Sequence, residues 1–128
     1  MRGSQKFFLC KKCGNIVGII QTDGTSLVCC GENMTELVPN TVEASAEKHL
    51  PAVTVSGANV DVQVGSVPHP MEAEHLITFV YVETEHGGQR KNLNAGDAPK
   101  LSFVLANDKP VAVYAYCNLH GLWKTEIE

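Results

Sequence analysis

Ala52-Val53-Thr54-Val55-Ser56-Gly57-Ala58-Asn59-Val60-Asp61-Val62-Gln63-Val64 reads in order as a strand, a turn and a strand. Its second half alternates Val60, Val62 and Val64 with Asp61 and Gln63, the two-residue period of a ribbon that buries one face. Gly57-Ala58-Asn59 supplies the turn back to the strand Ala52 to Ser56. Further runs of the same kind are Leu76 to Glu83, Lys100 to Leu105 and Val111 to Tyr116. Between them lie Glu85-His86-Gly87-Gly88, Asn94-Ala95-Gly96-Asp97 and Asn107-Asp108-Lys109-Pro110, all rich in turn formers. Short strands at this spacing, with no helices between them, predict an immunoglobulin-like antiparallel β-sandwich. Upstream, Asn40 followed by Glu43 has the pattern of a capping box, and Thr41 to Lys48 reads as two helical turns stopped by Pro51.

Before Pro39 the pattern differs. The first 38 residues show few apolar positions in any regular period, so a segment of this size needs a cross-link or a metal to fold. The organisation expected is a small metal module over residues 1–38, then a β domain over residues 39–128. The chain has 128 residues, a formal net charge of −4 and 6% aromatic residues, which offer neither the basic stripe nor the stacking surface that nucleic-acid binding needs. No run approaches the length of a membrane-spanning helix. The N-terminus Met1 to Lys6 has no apolar segment before a small-residue cleavage site, so a cytoplasmic protein is expected.

Four of the five cysteines fall in the metal module, as Cys10-Lys11-Lys12-Cys13 and the adjacent pair Cys29-Cys30. Without an export signal, a metal site is the stronger reading of these thiols than disulfides. Four thiolates suit zinc or a mononuclear iron, and the adjacent pair leans away from an ordinary zinc ribbon, whose second pair is normally C-x-x-C. Adjacent cysteines can share one ion only if the backbone between them turns sharply, and Gly24 and Gly31 lie close by. The fifth cysteine, Cys117, stands three residues before His120, a spacing at which both side chains reach one ion across a tight loop. His49, His69 and His75 also fall at strand ends or in loops, and the loops at one end of a sandwich can converge. Prolines on both sides of His69 restrict its backbone. Taken singly, a histidine is more often a surface residue than a ligand, and Cys117 a buried small apolar group. His86, in a Gly-rich polar turn, reads as exposed and non-ligating.

Taken together, Cys-Lys-Lys-Cys-Gly-Asn at 10–15, Leu-Val-Cys-Cys at 27–30, Ala-Glu-Lys-His at 46–49, Gly-Ser-Val-Pro-His-Pro-Met at 65–71, Glu-His at 74–75 and Tyr-Cys-Asn-Leu-His-Gly-Leu-Trp-Lys at 116–124 closely resemble desulfoferrodoxin, the two-iron superoxide reductase family. The resemblance runs nearly end to end. It implies a desulforedoxin-like iron centre on Cys10, Cys13, Cys29 and Cys30. It also implies a second iron with His49, His69, His75 and His120 in the equatorial plane and Cys117 on the axis. One-iron members lack the N-terminal thiolates, and this chain keeps all four. The implied reaction is one-electron reduction of superoxide to hydrogen peroxide. Lys48 would attract the anion, and Glu47 would occupy the vacant position of the ferric site. A rubredoxin-type donor and a homodimer follow by the same analogy. Read from the residues alone, Glu47-Lys48 is a solvated pair at a helix end. The rival readings are a non-enzymatic zinc-ribbon and β-sandwich binding protein, an iron electron carrier, and a dismutase.

Overall fold

The computed structural model describes residues 4–128; the first three residues, which begin the N-terminus read above for an export signal, lie outside the described residues. The chain divides into two compact units between Val38 and Pro39. The first contains β1 (Phe7–Leu9), β2 (Ile16–Gly18), β3 (Val28–Cys29), β4 (Glu32–Asn33) and β5 (Thr35–Glu36). These form an antiparallel sheet in the order β2-β1-β5 and a separate β3-β4 hairpin. Phe7 and Cys10 are the buried apolar side chains among its described residues. So small a core offsets little of the entropy of ordering the unit, and the thiols must supply the remaining cohesion.

The second unit contains α1 (Ala46–His49), β6 (Pro51–Ser56), β7 (Asn59–Val64), β8 (Ile77–Thr84), β9 (Gly88–Asn92), β10 (Lys100–Val104), β11 (Pro110–Cys117) and β12 (Gly121–Glu126). Two antiparallel sheets, β10-β7-β6 and β12-β11-β8-β9, face each other. Val60, Val62, Val64 and Phe103 from the first sheet pack against Val80, Val82, Val113, Ala115 and Cys117 from the second. The alternation in β7 thus buries every second residue, as its sequence predicts. β8 and β11 are buried almost throughout, because they lie inside their sheet.

The sequence does not announce β9 and β12 as strands. β9 is Gly-Gln-Arg-Lys-Asn, exposed along its whole length. It holds its place through pairing with β8 and through two side chains that reach β10 in the other sheet. Gln89 Nε2 donates to the carbonyl of Val104 at 2.9 Å and Lys91 Nζ to that of Ser102 at 2.6 Å. The expected two-turn helix is also corrected: α1 is a single turn of four residues. Asn40 takes a left-handed backbone, with φ of +63°, and spends its amide on β12 rather than on a helix start. Its Nδ2 donates to the carbonyl of Lys124 at 3.1 Å and its Oδ1 accepts from the N–H of Lys124 at 2.9 Å. Stapled outward in this way, it cannot cap Thr41 to Glu43.

Candidate metal centres

In the first unit, Cys29 pairs with Glu32, which leaves Cys30-Gly31 as a two-residue hairpin turn. Both central residues have positive φ, +53° at Cys30 and +76° at Gly31, the requirement of a type I′ turn. This is the sharp turn that adjacent cysteines need in order to share an ion. On the other side, the N–H of Gly14 donates to the carbonyl of Cys10 and that of Cys10 to the carbonyl of Asn15, both at 2.8 Å, closing the Cys10–Cys13 loop. The ligand atoms of Cys10, Cys13, Cys29 and Cys30 lie within 4.8 Å of one another.

The sulfurs stand 3.6 Å apart for Cys13–Cys29 and 3.9 Å for Cys29–Cys30. A disulfide would need about 2.0 Å, whereas a tetrahedron of sulfurs at the usual ~2.3 Å from a metal has an edge of ~3.8 Å. All five cysteines are free thiols. Electrostatics points the same way. The backbone N–H of Cys13, with that of Lys12, draws the pKa of Cys10 down to about 6. The sulfurs of Cys10 and Cys13 push Cys29 up to about 12, and Cys13 and Cys10 raise Cys30 as well. A thiolate is favoured at Cys10 and disfavoured at Cys29 and Cys30 until a cation joins them.

In the second unit, His49 ends α1, His69 and His75 lie between β7 and β8, and Cys117 and His120 flank the β11–β12 turn. Since Pro51 pairs with Val64, and Cys117 pairs with both Ile77 and Gly121, all of these positions are at one end of the sandwich. The four imidazoles form a closed cycle. Ring centroids are 4.7 Å apart for His49–His69, 4.7 Å for His69–His75, 5.1 Å for His75–His120 and 4.9 Å for His120–His49, each pair edge-to-face. The ligand atoms of His49, His69, His75 and Cys117 lie within 4.8 Å of one another. His120 Nδ1 is 3.1 Å from His49 Nε2 and 3.8 Å from the Cys117 sulfur.

The partners of the ring nitrogens fix where the protons sit. His49 Nδ1 is 2.6 Å from the carbonyl of Ser45, and His69 Nδ1 is 2.6 Å from that of Pro70. A carbonyl only accepts, so both Nδ1 atoms carry the hydrogen. Burial lowers the pKa of both rings, His69 to about 4, and for His49 the charges of His120, His75 and Lys48 add to the effect. The rings are therefore neutral at pH 7, and their Nε2 lone pairs face each other 3.2 Å apart with no proton between them. His75 Nε2 is buried and has no hydrogen-bond partner. Two nitrogens bound to one ion at ~2.1 Å stand ~3.0–3.4 Å apart, so the spacing fits a shared cation. Neutral imidazoles with a thiolate suit iron, and five donors exceed zinc's customary four.

Glu47 and Lys48 are exposed on α1 beside His49 and are not among the clustered donors. His86 is also exposed, its side chain 77% accessible, and faces Asp108 at 3.2 Å. Sequence reading did not single out Trp123. Its ring stacks on His49 at 5.0 Å and its Nε1 donates to the carbonyl of His120 at 3.1 Å, so it touches two of the four histidine segments. Its presence in Tyr116 to Lys124 was the available signal, but a contact across a hairpin has no sequence period. Gly65 matters for the same reason. A Cβ there would lie 2.5 Å from the carbonyl oxygen of Glu47, so only glycine lets the His69 loop pass this close to α1.

Fold and donors together define a β-sandwich metalloprotein with a separate four-thiol module. The family model described as Desulfoferrodoxin matches residues 41–126, and that described as Desulfoferrodoxin, N-terminal domain, matches residues 3–37. The chain is 42% identical over 119 residues to a desulfoferrodoxin of Syntrophotalea carbinolica, covering 93% of this chain and 94% of that one. It is 40% identical over 126 residues to a desulfoferrodoxin of Nitratidesulfovibrio vulgaris, covering 98% and 99%. Among solved structures, the superoxide reductase of Treponema pallidum superposes with a TM-score of 0.82 at 38% identity, covering 97% of this chain and all of that one. The chain belongs to the desulfoferrodoxin family.

Proposed function

We propose that this chain is a superoxide reductase. The observation that carries the reading is the cycle of four imidazoles closed by Cys117, with bare lone pairs directed at one point. His49, His69, His75, His120 and Cys117 would hold an iron ion, and Cys10, Cys13, Cys29 and Cys30 a second one. Bound at the histidine site, iron supplies the single electron that superoxide takes up on becoming peroxide, together with two protons.

The chain's own groups shape that reaction. The Nδ1–H protons of His49 and His69 are held by Ser45 and Pro70, so these rings keep their orientation and are not the proton source. Glu47 and Lys48 leave the α1 side open to solvent, which would supply the protons. Lys48 lies close enough to lower the pKa of His49 and would draw in an anionic substrate. Glu47, next in the chain, would act on the oxidised site after product leaves. The four-thiol centre would relay electrons from a rubredoxin-type donor, and zinc fits the same sulfur spacing in a purely structural role. Family analogy supports a homodimer. No helix of the described residues is long and apolar enough to cross a membrane.

Product stoichiometry tests the proposal. The reduced protein, given superoxide with an electron donor in excess, should release one hydrogen peroxide for each superoxide consumed and evolve no dioxygen. One peroxide for every two superoxides, with dioxygen, would identify a dismutase instead.

A further inference from the structure

His75 is held differently from its neighbours in the cycle. His49 and His69 are each fixed by a bond from their own Nδ1–H to a carbonyl. His75 lies outside the regular strands, in a turn closed by its backbone bonds with Glu72 at 2.9 and 3.1 Å. Its buried Nε2 nevertheless has to point into the cluster. The restraint comes from both of its chain neighbours and leads to one residue. Asn118 Nδ2 donates to the carbonyl of Glu74 at 2.9 Å, and Asn118 Oδ1 accepts from the N–H of Leu76 at 3.0 Å. The backbone N–H of Asn118 adds a bond to the carbonyl of Leu76 at 3.2 Å.

A primary amide donates and accepts from a single planar group, and here it grips the backbone immediately before and after His75. Asn118 also directly follows Cys117 in the chain. The same residue therefore ties the His75 segment to the strand end that carries the thiol. We propose that Asn118 is a positioning residue, which fixes the direction of the His75 imidazole relative to Cys117 and acts on the metal through His75. The inference rests on the reading of this cluster as a metal site.

The test is a thermodynamic cycle on the full chain, prepared metal-free and titrated with Zn²⁺ against a chelator. The imidazole Cε1–H NMR signals of His49, His69, His75 and His120 report this site separately from the four thiols. Outer partners of metal ligands are typically worth about 10–100-fold in affinity. Asn118→Ala should weaken Zn²⁺ binding at these histidines by a factor in that range. Asn118→Asp, which keeps the acceptor but sets a carboxylate oxygen against the carbonyl of Glu74, should do likewise and serves if the alanine variant does not fold. In a His75→Ala background, adding either substitution should change the affinity less than about threefold, because the group it positions is gone. Equal losses with and without His75 would show a general staple of the hairpin and overturn the proposal, as would wild-type affinity in both variants. If Zn²⁺ moved none of the four histidine signals in the unsubstituted chain, the metal-site reading would fall first and this inference with it.

Discussion

At the scale of single residues, the second centre depends on where two protons sit. Because Ser45 and Pro70 hold the Nδ1–H of His49 and His69, the facing nitrogens have nothing to share except a cation. Beside them, Lys48 is exposed and its charge reaches His49. Lys48→Ile should slow the encounter with superoxide by about tenfold and flatten its dependence on ionic strength, while leaving the bound metal and its spectrum unchanged. Rapid-mixing or pulse-radiolysis rates over a salt series read this directly. An unchanged rate and salt slope would return Glu47-Lys48 to a solvated pair. His86→Ala gives a contrast, since an exposed histidine facing Asp108 should leave metal content and rate as they are.

At the scale of elements, α1 is a single turn, and a helix this short does not hold itself together. Its position comes from the loop after β7. The N–H of Val67 donates to the carbonyl of Glu47 at 2.9 Å and Ser66 Oγ to the same carbonyl at 3.3 Å. Gly65 makes that approach possible, so Gly65→Ala should push α1 away and lower stability by about 1–3 kcal/mol, the usual range for overpacking. Metal should also be lost from the histidine site, as read by urea unfolding together with metal analysis; wild-type stability and metal content would remove Gly65 from this role. Much of each candidate site, taken by itself, was legible beforehand. The cysteine spacing, the need for a sharp turn at Cys29-Cys30 and the convergence of loop histidines follow from side-chain chemistry and the period of the strands. The length of α1 was not legible, because the bonds of Asn40 to Lys124 compete with capping and join residues distant in the chain. β9 and β12 were not legible because pairing with a neighbouring strand, rather than an apolar alternation, places them.

At the scale of the whole molecule, the two units are held by different forces, an apolar core in one and sulfur chemistry in the other. The core was written into the valine alternation, whereas the first unit's short strands were not, since strands of two or three residues carry no period. Metal-free protein should show a distinct acid response. His69 has an ordinary pKa of 6.5 and a folded value near 4, so between those limits the unfolded chain binds a proton that the folded chain refuses. Stability from this group is complete above pH 6.5 and falls as pH drops toward 4. The urea midpoint should follow that course, and His69→Asn should flatten it; a midpoint that rose with acid would reverse the assignment. The central claim, that superoxide reacts at the histidine–cysteine centre of the second unit, is tested most directly by the second-order rate constant for superoxide consumption in Cys117→Ser and Cys30→Ser, each loaded with iron and chemically reduced. The account predicts near wild-type rates in Cys30→Ser and loss of the reaction in Cys117→Ser, and the opposite pattern would contradict it.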